Sequence, residues 1–316
     1  MPAVRIIMLG TGDFALPTFE HLCDSGLHVV ALITQPDKPQ GRKQEIIPSA
    51  IKRAAEARGV CVEQPESVNA PEGLALVRSL DPDLLVTAAY GQILSADLLA
   101  IPRLGGINLH GSILPRYRGA APVARAIENG EAETGVTVIR MTPRVDAGGM
   151  LSFARTTIDP DETAGELEAR LAQIGAPLIP PAIATLVNDM AVILPQEPSL
   201  VTKAPKLKKE SGRIDWTEPA RAIHNLVRAM QPWPIASTLW ARDAVSDPVR
   251  LIVHRSEVVD GAGEPGRVIE GQGDRFVVAT GEGAVRLLKV QLEAKKAMTA
   301  EEFVRGYRPL GTFMKG

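Results

Sequence analysis

Residues 108–119 read Asn108-Leu-His110-Gly-Ser112-Ile-Leu-Pro115-Arg-Tyr-Arg118-Gly119, and they follow directly on the apolar segment Gly105–Ile107. Alternate side chains of an extended strand point to the same side, so the Asn108 amide and the His110 imidazole face one direction. The Ser, Pro and Gly residues that follow favour an ordered loop over a helix. Because open α/β sheets build their sites where strands end, this stretch is the first candidate for a functional site.

Composition limits the classes of protein to which the chain can belong. It has 316 residues, of which 45% are hydrophobic and 23% charged, and this length favours two globular domains. A formal net charge of −2 gives no overall field for a polyanion, so nucleic-acid binding would depend on local basic patches. The two cysteines, Cys23 and Cys61, lack the spacing of a disulfide framework or a zinc site. We expect a cytoplasmic location without a membrane, since no signal-peptide pattern and no apolar run near ~20 residues is found.

The first half of the chain alternates strand and helix patterns. This βαβ rhythm predicts an α/β fold with a Rossmann-like, mostly parallel sheet and helices on both faces. The predicted strands of this half include Val4–Leu9, His28–Thr34, Leu84–Ala89, Gly106–Leu109 and Gly135–Met141.

The second half changes character after Leu194. Residues 195–212 are basic and spaced by prolines, as in a linker, so we predict domains at 1–194 and 213–316 with a linker at 195–212. Short strand patterns separated by Gly and Asp predict an OB-like β-barrel in the second domain. These strands are Ser237–Trp240, Val249–His254, Gly266–Ile269, Arg275–Ala279 and Ala284–Val290.

A carboxylate is predicted to join Asn108 and His110. Asp146 lies in the stretch Arg144-Val-Asp146-Ala-Gly148-Gly149, one helix and one strand after His110, and adjacent parallel strands would bring it beside His110. An amide and an imidazolium can both donate hydrogen bonds to one oxygen that becomes negative during acyl transfer. A nearby carboxylate can orient the imidazole or take a proton through water. Ser112 lacks the G-x-S-x-G pattern, which makes a serine hydrolase a weak interpretation.

The glycine turn Gly10-Thr-Gly12-Asp13-Phe14-Ala15 begins like a dinucleotide-binding fingerprint. The second strand ends in Ile33-Thr34-Gln35, without the acidic residue that such a site uses for the ribose. We therefore interpret the glycines as a tight strand-to-helix turn. A nicotinamide-dependent dehydrogenase stays open as an alternative.

The motif N-x-H-x-S-I-L-P-x-Y-R-G, with Asp146 in a V-D-A-G loop, resembles the folate-dependent formyltransferases. Over nearly its whole length the chain is similar to the members of that family that act on methionyl-tRNA. The resemblance implies the formyltransferase fold, 10-formyltetrahydrofolate as formyl donor and co-substrate, and no metal. It also implies initiator methionyl-tRNA as acceptor, with N-formylmethionyl-tRNA for translation initiation and tetrahydrofolate as products.

The resemblance further implies roles for individual residues. Asn108 and protonated His110 would stabilise the oxyanion, while Asp146 would orient His110 and help remove the proton of the ammonium. The stretch that would line the folate site is Ser112, Ile113, Leu114 and Pro115. Tyr90 and Ile93, at the end of a neighbouring strand, would complete the pterin pocket; a packed core aromatic is the alternative interpretation of Tyr90.

Two basic stretches are similar to the tRNA-contacting loop and the linker of that family. Residues 31–60 carry six basic and three acidic side chains, and residues 203–213 carry five basic and one acidic side chain. Such patches suit a phosphate backbone, although either could be an ordinary solvated surface. Gln44-Glu45 interrupts the loop where the family pattern continues basic. The candidate tRNA-binding residues are Arg42, Lys43, Lys206, Lys208 and Lys209.

Other functions compatible with the sequence are kept as alternatives. A sugar-amine formyltransferase and a formyltetrahydrofolate hydrolase would share the donor site, whereas a non-catalytic nucleic-acid-binding protein would use only the barrel. No apolar stripe demands a partner subunit, so we expect a monomer. The sequence leaves open the order of the strands and the tRNA bases that are recognised.

Overall fold

The structure is a computed structural model and describes residues 4–40, 45–242 and 247–316. Its contacts divide the chain into two compact units. The first unit takes the described chain up to Pro122 together with Glu133–Thr157 and Glu168–Pro205, and the second takes Val123–Ala132, Ile158–Leu167 and Lys206–Gly316. The domain boundaries expected at residues 194 and 212 stay a prediction.

The part of the chain up to Val187 contains nine strands and seven α-helices among the described residues. The strands are β1 (Arg5–Gly10), β2 (His28–Ile33), β3 (Pro39–Gln40), β4 (Glu45–Ile46), β5 (Cys61–Glu63), β6 (Leu84–Ala88), β7 (Gly106–His110), β8 (Glu133–Arg140) and β9 (Met150–Thr157). The helices are α1 (Ala15–Asp24), α2 (Ala50–Ala57), α3 (Pro71–Ser79), α4 (Ala96–Leu99), α5 (Pro122–Glu128), α6 (Ala164–Gly175) and α7 (Ile179–Val187).

Seven of these strands form one sheet in the order β5-β2-β1-β6-β7-β8-β9. The strands from β5 to β7 are parallel, which confirms the Rossmann-like fold. Residues 6–9 of β1 are fully buried, as expected for a parallel strand covered on both faces. The pairs β7–β8 and β8–β9 are antiparallel, so the assumption that parallel strands lead from His110 to Asp146 was wrong.

The second unit is built on a curled antiparallel sheet. Its elements are α8 (Ala220–Ala229), β10 (Ala236–Ala241), β11 (Val249–Val259), β12 (Val268–Gln272), β13 (Arg275–Ala279), β14 (Ala284–Leu292), β15 (Met298–Thr299), α9 (Ala300–Tyr307) and β16 (Phe313–Lys315). The strand order is β12-β13-β14-β11-β10-β16, and an Arg267–Phe313 bridge links its two ends. This closure confirms the OB-like barrel. Its core holds Phe276 stacked on Phe303 at 4.9 Å, with the Trp240 ring edge-on to Phe303.

One helical stretch, Ala164–Val187, is long and apolar enough to cross a membrane by length and composition. The sequence predicts a helix here that Gly175 and Pro180-Pro181 bend or break, but it has no uninterrupted apolar run of that length. Four of its large aliphatic side chains are at most 1% exposed, which is how a core helix of a globular fold satisfies the same criterion. They are Leu167, Leu171, Ile179 and Ile183.

Candidate active site

Asn108 lies within β7, and the neighbouring strand fixes its side chain. Thr87 of β6 pairs with Asn108, and its hydroxyl donates a hydrogen bond of 2.6 Å to Asn108 Oδ1. An amide whose oxygen accepts this bond turns its nitrogen the other way, and Nδ2 lies 3.5 Å from Asp146 Oδ1. Thr87, which the sequence analysis did not single out, therefore orients the expected donor.

His110 ends β7 with only 6% of its side chain exposed. Its Nε2 lies 2.9 Å from the backbone carbonyl oxygen of Tyr117, and its Nδ1 lies 3.5 Å from Asp146 Oδ2. A carbonyl and a carboxylate can only accept hydrogen bonds. An imidazolium, with a proton on each nitrogen, therefore satisfies both partners at once.

Asp146 reaches this position through the loop between β8 and β9. That loop leaves the antiparallel strand β8 and folds back, so that the carboxylate lies beside both β7 side chains. The backbone N–H of Gly119 donates a bond of 2.9 Å to Asp146 Oδ2, and the side chain is only 12% exposed. The expected proximity to His110 is present, although the route along the chain differs from the expected one.

Two residues that are not glycine have left-handed backbones in the site, Tyr117 with φ 61° and Asp146 with φ 49°. Such a conformation costs of order 1–3 kcal/mol and persists only where the surroundings determine it. Tyr117 presents its carbonyl to His110, and its own N–H is bound by the Thr202 hydroxyl at 2.8 Å. Both strained residues thus carry groups that face the imidazole.

The two donors and the carboxylate converge on one small region. Asn108 Nδ2 and His110 Nδ1 are each 3.5 Å from an oxygen of the same Asp146 carboxylate. These separations are long for hydrogen bonds, and sites without substrate often tighten only when the reacting groups are bound. Two hydrogen-bond donors beside one buried carboxylate can stabilise an oxyanion and remove a proton, as acyl transfer to an amine requires.

Comparison with known proteins assigns the family. A model of the formyl transferase family matches residues 4–183, and a model of the formyl transferase C-terminal domain matches residues 206–308. The chain belongs to the formyl transferase family. Curated relatives extend the match across the whole chain. One is a methionyl-tRNA formyltransferase of Geobacter metallireducens, 42% identical over 98% of this chain and 97% of that protein. Another is the methionyl-tRNA formyltransferase of Moorella thermoacetica, 41% identical over 96% of each chain.

Solved structures of other proteins share the fold at low sequence identity. WlaRD, a sugar 3N-formyl transferase crystallised with dTDP and 5-N-formyl-THF, superposes with a TM-score of 0.66 at 18% identity and covers 94% of this chain and all of its own. HypX from Aquifex aeolicus, in complex with tetrahydrofolic acid, gives a TM-score of 0.65 at 13% identity, covering 96% of this chain and 47% of its own. At these identities the likeness concerns the fold alone.

The stretch expected to line the folate site of this formyl transferase is tightly held. The Thr137 hydroxyl donates to the Ser112 carbonyl at 2.7 Å and accepts from the Leu114 N–H at 3.1 Å. Ser112, Leu114 and Pro115 are buried, and Ile113 is half-buried. This stretch therefore offers backbone groups and the Ile113 side chain more than the other three side chains.

Tyr90 and Ile93 are placed very differently, although both follow β6. The Tyr90 ring is 4% exposed and packs in the core around β1 and β6, and burial raises the pKa of its hydroxyl to about 12. Its backbone carbonyl accepts from Thr11 and Gln35, which ties the loops after three strands together. Ile93 is 64% exposed. The structure thus gives the Tyr90 ring a core position and leaves the Ile93 side chain accessible.

The glycine turn after β1 is explained by packing. A Cβ at Gly10 would lie 2.6 Å from the Ala15 Cβ and 3.1 Å from the Ala88 carbonyl oxygen. The Thr11 hydroxyl lies 3.2 Å from the Thr34 hydroxyl, within hydrogen-bond distance at the end of β2. Close approach of backbone and helix therefore accounts for this glycine, as the interpretation of a tight turn requires.

The basic residues expected to bind tRNA fall into two groups. Arg42 and Lys43 lie outside the described residues, whereas Lys206, Lys208 and Lys209 are all exposed. Lys52, at the end of the Gln35–Lys52 loop, pairs with Asp37 at 2.5 Å and lowers the pKa of that carboxyl. Its charge is therefore already neutralised within the protein.

Gln196 is the second residue that sequence reasoning missed, after Thr87. It was assigned to the linker because prolines flank it at 195 and 198. Its amide instead contacts the backbone of Asp146 and the side chain of Arg118. No local pattern marks it, since its partners lie far away in the sequence.

Proposed function

We propose that this protein transfers the formyl group of 10-formyltetrahydrofolate to the α-amino group of methionyl initiator tRNA. The observation that carries the proposal is the convergence of Asn108 Nδ2 and His110 Nδ1 on the buried Asp146 carboxylate. The acceptor is supported by relatives that carry the name methionyl-tRNA formyltransferase and match almost the full chain, including the C-terminal domain. The products are N-formylmethionyl-tRNA and tetrahydrofolate.

The residues of the site fit a formyl donor whose acceptor is an amine. An α-amine has a pKa near ~7.7–8, so it is a nucleophile near neutral pH once one proton has left. The negative charge that develops on the formyl oxygen in the tetrahedral intermediate is the one that most needs stabilisation. Two preorganised hydrogen-bond donors can stabilise such an oxyanion. No covalent intermediate with the protein is needed.

The proposed steps keep atoms and charges balanced. Asp146 accepts the proton of the ammonium, directly or through water, and the amine nitrogen bonds to the formyl carbon. Asn108 and protonated His110 hold the oxyanion of the tetrahedral intermediate. The carbon–N10 bond then breaks as N10 of the folate takes up the second proton of the amine nitrogen, relayed through water, and the carbonyl re-forms as the new amide. Asp146 returns the first proton to solvent.

Binding of the two substrates is assigned to different surfaces. We assign the folate to the loops after β6 and β7, with Ile93 and the 112–115 stretch as contacts; for Tyr90 we propose a backbone contribution. We assign the tRNA phosphates to Lys206, Lys208 and Lys209, with Arg42 and Lys43 at the acceptor end. Phosphate contacts by several lysines make the affinity fall as salt rises. The protein acts as a cytoplasmic monomer in this proposal.

The deciding experiment is formyl transfer from 10-formyltetrahydrofolate to charged initiator tRNA by the wild type and by His110→Ala. We expect transfer by the wild type and a rate lower by roughly 10²–10³ in the variant, because one oxyanion donor is lost. Circular dichroism of both proteins controls for folding. An inactive wild type would contradict the proposed function, and an active His110→Ala would contradict the proposed site.

Parallel reactions test the alternatives. A nucleotide-linked amino sugar replaces the tRNA in one reaction, and the acceptor is omitted in another. Formylation of the sugar alone would identify a sugar-amine formyltransferase, and formate release without acceptor would identify a hydrolase. Tight NAD(H) binding would favour the dehydrogenase, whereas tRNA binding with no turnover would favour a non-catalytic binder.

A further inference from the structure

Gln196 makes four hydrogen bonds that join two loops of the candidate site. Its Nε2 donates to the carbonyl oxygens of Asp146 and Gly148, at 2.8 and 2.7 Å. Its Oε1 accepts from Arg118 Nε and Nη2, at 2.9 and 2.7 Å. Because the guanidinium only donates, it fixes the orientation of the amide and leaves Nε2 facing the two carbonyls.

These bonds close a ring of contacts around Asp146. Gln196 holds the backbone of Asp146 and also the side chain of Arg118. The next residue, Gly119, donates its N–H to Asp146 Oδ2. The backbone and the carboxylate of Asp146 are thus both held, directly and through the 118–119 loop, by contacts that meet at Gln196.

The backbone that Gln196 binds, at Asp146 and Gly148, has a conformation that persists only if its surroundings stabilise it. Asp146 has a φ of 49°, and Gly148 lies so close to the Arg140 carbonyl that a Cβ there would overlap it. A loop in this conformation relaxes readily when its hydrogen bonds are removed. A shift of ~1 Å in a catalytic group can cost about 10²-fold in rate.

The neighbouring segment reinforces the same loop. The Arg118 N–H donates to the Thr202 carbonyl at 2.9 Å, and the Ala204 N–H donates to the Arg118 carbonyl at 2.7 Å. A Cβ on Gly119 would collide with the Ala204 backbone. Residues 196–204, expected to be linker, are therefore hydrogen bonded to the 117–119 loop.

We propose that Gln196 is a positioning residue that sets the Asp146 carboxylate against His110 and Asn108. It touches no reacting atom and acts through the backbone of Asp146. The inference rests on the proposed function for its kinetic consequence, but the placement of Asp146 can be measured without any turnover.

The test compares Gln196→Met, which keeps the length and removes all four bonds, with Gln196→Glu, which keeps the acceptor for Arg118 and replaces the donor by a carboxylate oxygen. We expect both variants to lower kcat by about 10–10², with KM for 10-formyltetrahydrofolate changed less than ~3-fold. Retention of activity by Gln196→Glu would overturn the role of the donor. Gln291→Ala removes a β14 amide whose oxygen contacts His254 Nε2 and whose nitrogen donates to the Lys295 carbonyl, and it serves as the control outside the site, with unchanged kinetics.

A double variant separates positioning from general loosening of the fold. If Gln196 acts through Asp146, adding Gln196→Met to Asp146→Asn should lower kcat by less than ~3-fold further, because residues that act as a unit are not additive. If the fold-decrease in kcat of the double variant equals the product of the two single-variant decreases, the effect of Gln196→Met is merely structural and the proposal is overturned. An equal loss through KM alone would do the same.

A crystal structure of Gln196→Met provides the readout that does not depend on activity. We expect the Asp146 carboxylate to move by about 1 Å or more from His110, or the 145–148 loop to lose its order. An unmoved carboxylate would overturn the inference even in an active enzyme. An inactive wild type with a displaced carboxylate in the variant would contradict only the proposed function.

Discussion

Two buried histidines of this protein each face an aspartate and a backbone carbonyl. His110 lies 2.9 Å from the Tyr117 carbonyl and 3.5 Å from Asp146. His224, on α8 in the second unit, places its Nε2 3.2 Å from the Pro160 carbonyl oxygen and 3.3 Å from Asp161 Oδ1. A distance search alone would rank the two pairs as equals.

Their surroundings separate them. The Asp146 side chain is 12% exposed and is held by the Gly119 N–H, whereas the Asp161 side chain is 83% exposed. The other nitrogen of His224 lies 3.2 Å from the buried Ser256 hydroxyl, and the nearby Asn225 is occupied with Arg228. A His–Asp pair suits catalysis only where the carboxylate is fixed and a second donor is aimed at the same point.

The largest expected difference is between the two aspartates. Asp146→Asn should reduce formyl transfer by roughly 10²–10⁴, because the general base is lost while the amide can still accept from Gly119. Asp161→Asn should change the rate by less than ~2-fold, because an exposed ion pair contributes little. Single-turnover transfer assays measure both. Comparable losses in the two variants would erase the distinction drawn between the histidines.

The next largest effect concerns the asparagines beside them. Asn108→Ala should lower kcat by about 10²–10³ through loss of an oxyanion donor, with little change in stability. Asn225→Ala should leave kcat unaltered and destabilise the second unit by ~1–3 kcal/mol, because Nε and Nη2 of the buried Arg228 lose their acceptor. Urea unfolding followed by tryptophan fluorescence measures this, since all three tryptophans belong to that unit. A loss of stability in Asn108→Ala together with a loss of kcat in Asn225→Ala would contradict the assignment of the catalytic site to His110.

A smaller effect is expected in the pH dependence of stability. Burial lowers the pKa of His224 from 6.5, so the neutral imidazole is the folded form and its stabilisation is complete above pH 6.5. That stabilisation is lost as pH falls below 6.5 through the folded-state pKa. The urea midpoint of the wild type should therefore drop between pH 7.5 and 5.5 more than that of His224→Gln. Parallel curves for the two proteins would show that His224 does not titrate with folding.

The smallest effect is expected at Glu166, which helps to hold the segment that carries the Pro160 carbonyl. Bonds from Thr163 and then Arg255 lower the pKa of Glu166 to about 2 from 4.5. Its stabilisation is present above pH 4.5 and is lost as pH falls toward 2. Since the carboxylate is 53% exposed, Glu166→Gln should cost at most about 1 kcal/mol at pH 7 and nothing below pH 2. Urea midpoints at pH 7 and in acid measure this, and an equal cost at both would exclude the charge as the cause.

Much of the site could be predicted from the sequence because its first two residues share one strand. Alternation along β7 is enough to place Asn108 and His110 on one side, and the loop residues after them mark the strand end. The fold class followed from the βαβ rhythm, which depends on local periodicity. The barrel followed from short strands separated by turns.

The remaining features depend on contacts between distant parts of the chain. Periodicity indicates that β8 is a strand but not which way it runs, so the path to Asp146 was wrong. The Tyr90 ring packs in the core because β1 and α3 lie over it, which its own segment does not reveal. Gln196 meets Arg118 and Asp146 only after the chain has turned back through the 196–204 segment, and the flanking prolines suggested a linker.

The hydrogen bonds between residues 196–204 and the 117–119 loop decide where this enzyme can be joined to part of a relative in a chimaera. The two family matches end at 183 and begin again at 206, so either edge looks like a natural junction for a chimaera. A junction before Gln196 would replace residues 196–204 by those of the relative, next to the native loops that carry Arg118 and Asp146. A junction after Pro205 keeps residues 196–204 together with the loops to which they are hydrogen bonded. Only the exposed lysines and the barrel are then exchanged.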